Sequence, residues 1–242
     1  MLSEIEASGK LVAVNLFNRN AWYHKEMQRF IADGEIGKLG ILRVCHQTAG
    51  LMPGEGHAPE GPPFHDCGMH YVDVARWYSG SEYKSWNAQG VRLWGEPEPW
   101  WVSSHGEFEN GVVFQITQGF VFGQGAKKSI QSCSFEAIGT QGVVRMWHDF
   151  TDVTLEMHGR TQTIHKTGPY GGKKLDVMVE LFATSIEARR NLGFPNARDS
   201  VIASEISQQM QDAATAQNPP SIGTPAEADE VSRRRRSLTP ST

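Results

Sequence analysis

The hydrophobic pattern begins with strand character. LVAVNLF, residues 11–17, alternates weakly and is rich in β-branched and aromatic residues. It then takes a helical period. Tyr23, Met27, Phe30 and Ile31 fall at i, i+4, i+7 and i+8, one face of a helix expected over 21–33 and stopped by Gly34. Gly34-Glu-Ile-Gly37 reads as a turn into a strand over 40–48. Residues 50–63 are dense in Gly and Pro and read as a loop long enough to carry function. A helix is expected over 67–78, ending at Gly80. From 83 to 166 the pattern is one of short strands, with a hairpin at Glu109-Asn110-Gly111 and turns at 139–142 and His158-Gly159. Helical period returns over 175–190, where Met178, Leu181, Phe182 and Ser185 share a side. It returns again over 199–216 with Val201, Ile202, Ile206, Met210 and Ala213. From Asn218 the chain turns to Pro, Ser and Arg, and disorder is expected.

This order predicts an α+β fold, with an open-faced, mainly antiparallel β-sheet covered by helices on one face only. Val112, Phe114, Ile116 and Gln118 give one strand an apolar face. Val113, Gln115, Thr117 and Gly119 give it a more polar one, suited to water or a second subunit. The 242 residues, 39% of them apolar, suffice for one large domain. A net charge of −4 gives no reason to expect nucleic acid or an anionic membrane as partner. No apolar run approaches the roughly 18 residues of a transmembrane helix. Cys45, Cys67 and Cys133 are widely spaced with no C-x-x-C, so neither a disulfide framework nor a zinc knuckle is expected. With acids in the N-terminal MLSEIEASGK, the expectation is a cytoplasmic protein. SEIEASGK resembles the last turn of a helix, so the fold is expected to begin upstream of residue 1.

The candidate chemistry lies in FHDCGMHYVDVARWYSG, residues 64–80. Asp66 and His70, at i and i+4, would share a helix face. A near-neutral His can take a hydroxyl proton while a carboxylate beside it orients the ring and favours its charged form. Gly68 between them would let substrate approach the backbone. From the residues alone, a plainer reading weighs more: Asp66 caps the helix, and His70 is a satisfied first-turn histidine. Asp73 reads as structural, paired with Arg76 at i+3. A metal site built from His57, His65, Asp66 and His70 is a rival, weakened because His65 and His70 would point to different sides of a helix. Of Trp100 and Trp101, neighbours in a strand, one at most can stack on a sugar; Trp101 is the candidate.

Five segments, SGKLVAVNLFNRN, IADGEIGKLG, HDCGMHYVDVARW, AIGTQGVVRM and RDSVIASEISQQM, occur in order over residues 5–222. Together they resemble the C-terminal half of the glucose–fructose oxidoreductase / inositol dehydrogenase / MocA family. The resemblance implies a two-layer, dihydrodipicolinate-reductase-like sheet domain. Residues 1–20 would be the end of a Rossmann domain, 21–222 a substrate-binding and oligomerisation domain, and 223–242 a disordered tail. It implies NAD or NADP as cofactor, a sugar, cyclitol or related polyol as substrate, and a homo-oligomer formed through the open sheet face. It assigns catalysis to Asp66 and His70 and tips the balance toward the acid–base pair. Arg19 and Tyr23 fall where family members often place substrate contacts. The family's G-x-G-x-x-G fingerprint is absent, since Gly123-Gln-Gly125-Ala lacks the third glycine and falls among strands, and no Glu-Lys-Pro occurs. The chain alone is therefore expected to bind neither nucleotide and to be inactive. The alternative is a non-catalytic carbohydrate-binding or oligomerisation module. Arg233–Arg236 suggest no function beyond a solvated tail.

Overall fold

Alternating burial along the strands builds one sheet with a dry face and a wet face. The computed structural model describes residues 2–50, 60–128 and 130–236. Its strands are β1 (Leu39–Gln47), β2 (Tyr83–Leu93), β3 (Trp101–Phe108), β4 (Val113–Gly119), β5 (Ser132–Gly139), β6 (Val143–His148), β7 (Asp152–His158), β8 (Thr163–Pro169) and β9 (Ser221–Ile222). They lie in the order β8-β7-β6-β5-β1-β4-β3-β2-β9. The β1/β4 and β2/β9 pairs are parallel and the others antiparallel. The β3–β4 hairpin closes where expected, with the Phe108 amide donating to Val112 O at 2.8 Å and Gly111 at φ 85.

The helices are α1 (Leu2–Ser8), α2 (Trp22–Ala32), α3 (Pro63–Asp66), α4 (Gly68–Ser79), α5 (Leu175–Glu187), α6 (Ala197–Ala216) and α7 (Pro225–Arg236), with a 3-10 turn at Phe17–Asn20. One face of the sheet carries α2 against β6 and β7, α4 against β1 and β4, and α6 against β2 and β3. Met27 and Phe30 of α2, Val72 and Ala75 of α4, and Ala203 and Met210 of α6 are buried there against Leu42, Ile116, Phe135, Met146 and Leu155. Each large side chain so buried contributes roughly 1.5–3 kcal/mol. The helix α6 is fixed at its start by a reciprocal cap between Asn196 and Asp199. The helix α4 ends on Gly80, whose φ of 61 suits glycine. On the other face Ile41, Arg43, Val113, Arg145 and Trp147 are exposed, and no helix among the described residues covers them. The predicted α+β architecture, with its single open face, is the observed one.

Two expectations are corrected. Residues 11–17 do not form a strand. Residues 10–16 are irregular and Phe17 opens the 3-10 turn, because a strand requires a neighbour. The Val14 amide reaches only Pro195 O, at 3.1 Å. The helix expected over 67–78 is α4, while the short α3, closed at Cys67, precedes it where no helix was expected and carries Asp66. The expected disorder from Asn218 gives way to β9 on the edge of β2 and to α7. Thr224 and Glu227 cap α7 reciprocally around Pro225, its first residue. Residues 237–242 lie outside the described residues.

Candidate functional site

The α3–α4 junction holds the predicted pair. Pro63 opens α3, which closes after one turn as Cys67 moves to φ −109, ψ 0. Asp66 is thus the last residue of α3, and His70 lies in the first turn of α4, its amide donating to Cys67 O at 3.1 Å. Asp66 does not cap α4, because Cys67 occupies that position and makes no side-chain capping bond. Gly68 allows a close approach of protein, not of substrate. A Cβ there would strike Ser207 Oγ of α6 and lie 3.2 Å from Gln118 Nε2 of β4. Ser207 Oγ donates to Phe64 O at 2.5 Å and ties α6 to the same junction.

His70 packs its ring 4.6 Å from that of Phe17, and its carbonyl accepts from Asn18 Nδ2 at 3.3 Å. Its Nδ1 is buried and has no hydrogen-bond partner among the described residues. Burial pushes the ring down to about 4, the Lys173 cation adds to this, and the Asp66 carboxylate opposes it. At neutral pH the ring is therefore uncharged, with a lone pair able to accept a hydrogen bond. A buried nitrogen left unpaired costs about 1–3 kcal/mol. Asn20 Nδ2 and Gln118 Nε2 are buried and unpaired in the same sense, while Gln118 Oε1 accepts from the Cys67 thiol at 3.5 Å. Neither amide was singled out from the sequence. Gln118 had a signal there, as the one polar residue on an otherwise apolar strand face; Asn20 had only its place after an apolar run.

The other candidates are placed elsewhere. Arg19 spends its guanidinium on Asp73 (Nε–Oδ2 2.8 Å, Nη2–Oδ1 2.5 Å), lies 3.4 Å from Asp199 and sits 5.9 Å over the Trp77 ring. Asp73 is 1% exposed, and burial pushes it up to about 6 despite Arg19. The expected Asp73–Arg76 hydrogen-bonded pair does not form. Arg76 turns to Glu82 (2.8 and 2.5 Å) and to Asp199 (2.8 Å). Tyr23 is core, its ring 4.8 Å from His24, 5.7 Å from His148 and 6.1 Å from Tyr170, and burial pushes its hydroxyl up. Trp101 lies on the open face beside Gly119 and Gln47, across the sheet from His70, so the two cannot hold one sugar. Trp100 is buried 6.2 Å from Phe120.

The sequence reading also passed over a layer of buried histidines between helices and sheet. His24 Nδ1 is 2.6 Å from Tyr78 Oη, His46 stacks on Tyr71 at 4.6 Å, and His148 Nδ1 accepts from the Phe150 amide at 3.3 Å. Burial pushes His24 well down and His148 to about 4. As for metals, His65 Nε2 lies 2.7 Å from Gln208 Nε2, and His57 lies outside the described residues. Among the described residues no three metal-ligating side chains cluster. Nor does Gly123-Gln-Gly125 form a dinucleotide fingerprint. A Cβ on Gly123 would lie 2.9 Å from Ile130 and one on Gly125 3.4 Å from Val231, so both glycines pack against their own chain and open no helix.

A family model described as the GFO/IDH/MocA C-terminal domain matches residues 24–145, half of the chain. The chain belongs to this family. Inositol 2-dehydrogenase 2 from Saccharopolyspora erythraea is 29% identical over 117 residues, 47% of this chain and 34% of that protein. The solved aldose-aldose oxidoreductase from Caulobacter crescentus, complexed with glycerol, superposes with a TM-score of 0.71 at 13% identity, over 89% of this chain and 65% of that one. A super-repressor mutant of Gal80p from Saccharomyces cerevisiae does so with a TM-score of 0.68 at 13% identity, over 89% and 66%. The chain thus spans about a third of the curated dehydrogenase and about two thirds of the solved proteins. The family is one of oxidoreductases that include sugar and polyol dehydrogenases, and its members use NAD(P). No helix among the described residues is long and apolar enough to cross a membrane.

Proposed function

We propose that this chain is the substrate-binding half of an NAD(P)-dependent oxidoreductase acting on a sugar, cyclitol or related polyol. His70 would be the base that takes the proton of the reacting hydroxyl, and Asp66 would tune it. One observation carries the reading: the His70 ring is buried and uncharged, and its Nδ1 has no partner among the described residues, so a substrate hydroxyl would supply one. Asn20 and Gln118 carry unsatisfied donors of the kind that hold sugar hydroxyls. Gly123 and Gly125 pack against their own chain, which supports the proposal that the chain alone is inactive. Its cytoplasmic location and its self-association through the open sheet face belong to the same proposal.

The Gal80p likeness supports a second reading, a non-catalytic carbohydrate-binding or oligomerisation module, since the fold also occurs in a repressor. The test joins a dinucleotide-binding domain ahead of residue 1 and screens cyclitols, aldoses and polyols for NAD(P)H formation. Turnover with any of them, lost in His70→Ala, supports the oxidoreductase. Binding of a polyol without turnover supports the module.

A further inference from the structure

Between β8 and α5 the chain runs through residues 170–174, a loop held at both ends. At its start the Tyr170 amide donates to Thr151 O at 2.9 Å, and Trp22 Nε1 donates to Pro169 O at 3.0 Å. The Tyr170 ring packs 4.7 Å from His148 and 5.3 Å from Phe150. Gly171 at φ 71 and Gly172 at φ 69 then turn the chain, a backbone that glycine adopts without strain. Past the loop, α5 packs on the 3-10 turn Phe17–Asn20, the element whose Phe17 and Asn18 touch His70. The loop is thereby fixed beside the candidate base, and it carries two lysines. Lys174 folds back, since a Cβ on Gly171 would lie 2.6 Å from its Nζ. Lys173 is exposed and makes no ion pair among the described residues, whereas Lys166 of β8 is held by Glu26 at 2.8 Å.

The Lys173 charge is felt at His70. It joins burial in holding the ring down, and the Asp66 carboxylate opposes it. An unpaired cation beside a base works against the proposed chemistry, because it weakens the group that must take the hydroxyl proton. A substrate that brought a negative charge of its own to Lys173 would cancel this effect, and only while bound. The donors around the base cannot make that distinction. Asn20 and Gln118, 7% and 0% exposed, offer buried amide N–H groups without partners, which suit hydroxyl oxygens on an acid and on its neutral parent alike. Asp66 would repel an anion at its own end of the site. Selection by charge therefore falls to Lys173, a compact point charge that accepts a carboxylate or a phosphate.

We propose that Lys173 takes up a carboxylate or phosphate group of the substrate, so that the site serves an acidic polyol, a sugar acid or a sugar phosphate, in preference to a neutral one. This rests on His70 being the base, and it adds the class of substrate and the residue that selects it. The charge-assisted bond to the ammonium fixes one end of the molecule while a hydroxyl meets His70 Nδ1.

Equilibrium binding to the full chain, followed by the NMR signals of the His70 ring, tests this without reading turnover. Glucuronate and glucose 6-phosphate are titrated against glucose, and inositol 1-phosphate against myo-inositol. An acid should bind at least tenfold more tightly than its neutral parent, and the carboxylate and phosphate arms tell the two sources apart. Lys173→Gln should abolish that preference, and Lys173→Arg should keep most of it. Without ligand, Lys173→Gln should raise the titration of His70. Saturating the unmodified chain with the preferred acid should raise it likewise, and a neutral polyol should not. The proposal is overturned if neutral parents bind as well as acids, if Lys173→Gln keeps the preference, or if His70 titrates unchanged in that variant. Neutral and acidic polyols binding equally would leave the oxidoreductase reading in place. Binding of none of them would remove both.

Discussion

His70, Asp73 and Gly68 sit within one turn and a half of chain and answer to different physics. His70 is held neutral by burial, so its NMR titration in the folded chain should give a value near 4 and no protonation at neutral pH. A value near 6.5 would show an open, solvated ring. Gly68→Ala places a methyl group where Ser207 and Gln118 already stand and should cost about 1–3 kcal/mol in urea denaturation. An unchanged midpoint would mean that α4 and α6 separate freely. Asp73→Asn removes the charge that Arg19 encloses and should lower stability by about 1–3 kcal/mol while leaving His70's titration in place. At this scale the sequence was legible where structure is local, as in the place of His70 in the first turn of a helix. It was not legible where a partner comes from afar. Arg19 reaches Asp73 across 54 positions, and the i+3 spacing that suggested an Asp73–Arg76 pair says nothing about Glu82 or Asp199 competing for Arg76.

Among the elements, the buried histidines tie α2, α4 and β6 to pH. His24, His70 and His148 all titrate lower in the fold than in an unfolded chain. Between about pH 6.5 and 4 the unfolded state therefore binds more protons, and stability falls as pH falls through that window. Asp73 works the other way. Raised to about 6, it binds its proton first in the folded state and offsets part of the loss. Denaturation at pH 7.5 and pH 5 should show a loss of several kcal/mol, steeper in Asp73→Asn, and a flat profile would contradict the burial of these rings. Period alone recovered α2, α4, α6 and the strands, because each buries one face. It could not show α3, a single turn that is too short to carry a period and that separates Asp66 from the helix of His70. The α7 start was written in Thr224-Pro-Ala-Glu227, but composition spoke louder. Residues 11–17 had strand character but no neighbour to pair with among the described residues.

For the whole molecule, the sequence indicated one covered and one open sheet face, but not that β1 lies between β4 and β5. Strand order is set by pairings between distant segments, and no local signal encodes them. The glycines at 123 and 125 pack on their own chain, so calorimetric titration of this chain with NAD(H) or NADP(H) should show no micromolar binding, and such binding would require a seat elsewhere. The central claim is that the α3–α4 junction supplies the base for a polyol oxidation. Steady-state kinetics of the chain joined to a dinucleotide-binding domain tests it most directly. His70→Ala should lower kcat by about 10²–10⁴-fold with KM changed little, because the proton moves only in the transition state, and Asp66→Asn should cost less. Near-normal turnover in His70→Ala, with Asp73→Asn abolishing it, would contradict the account.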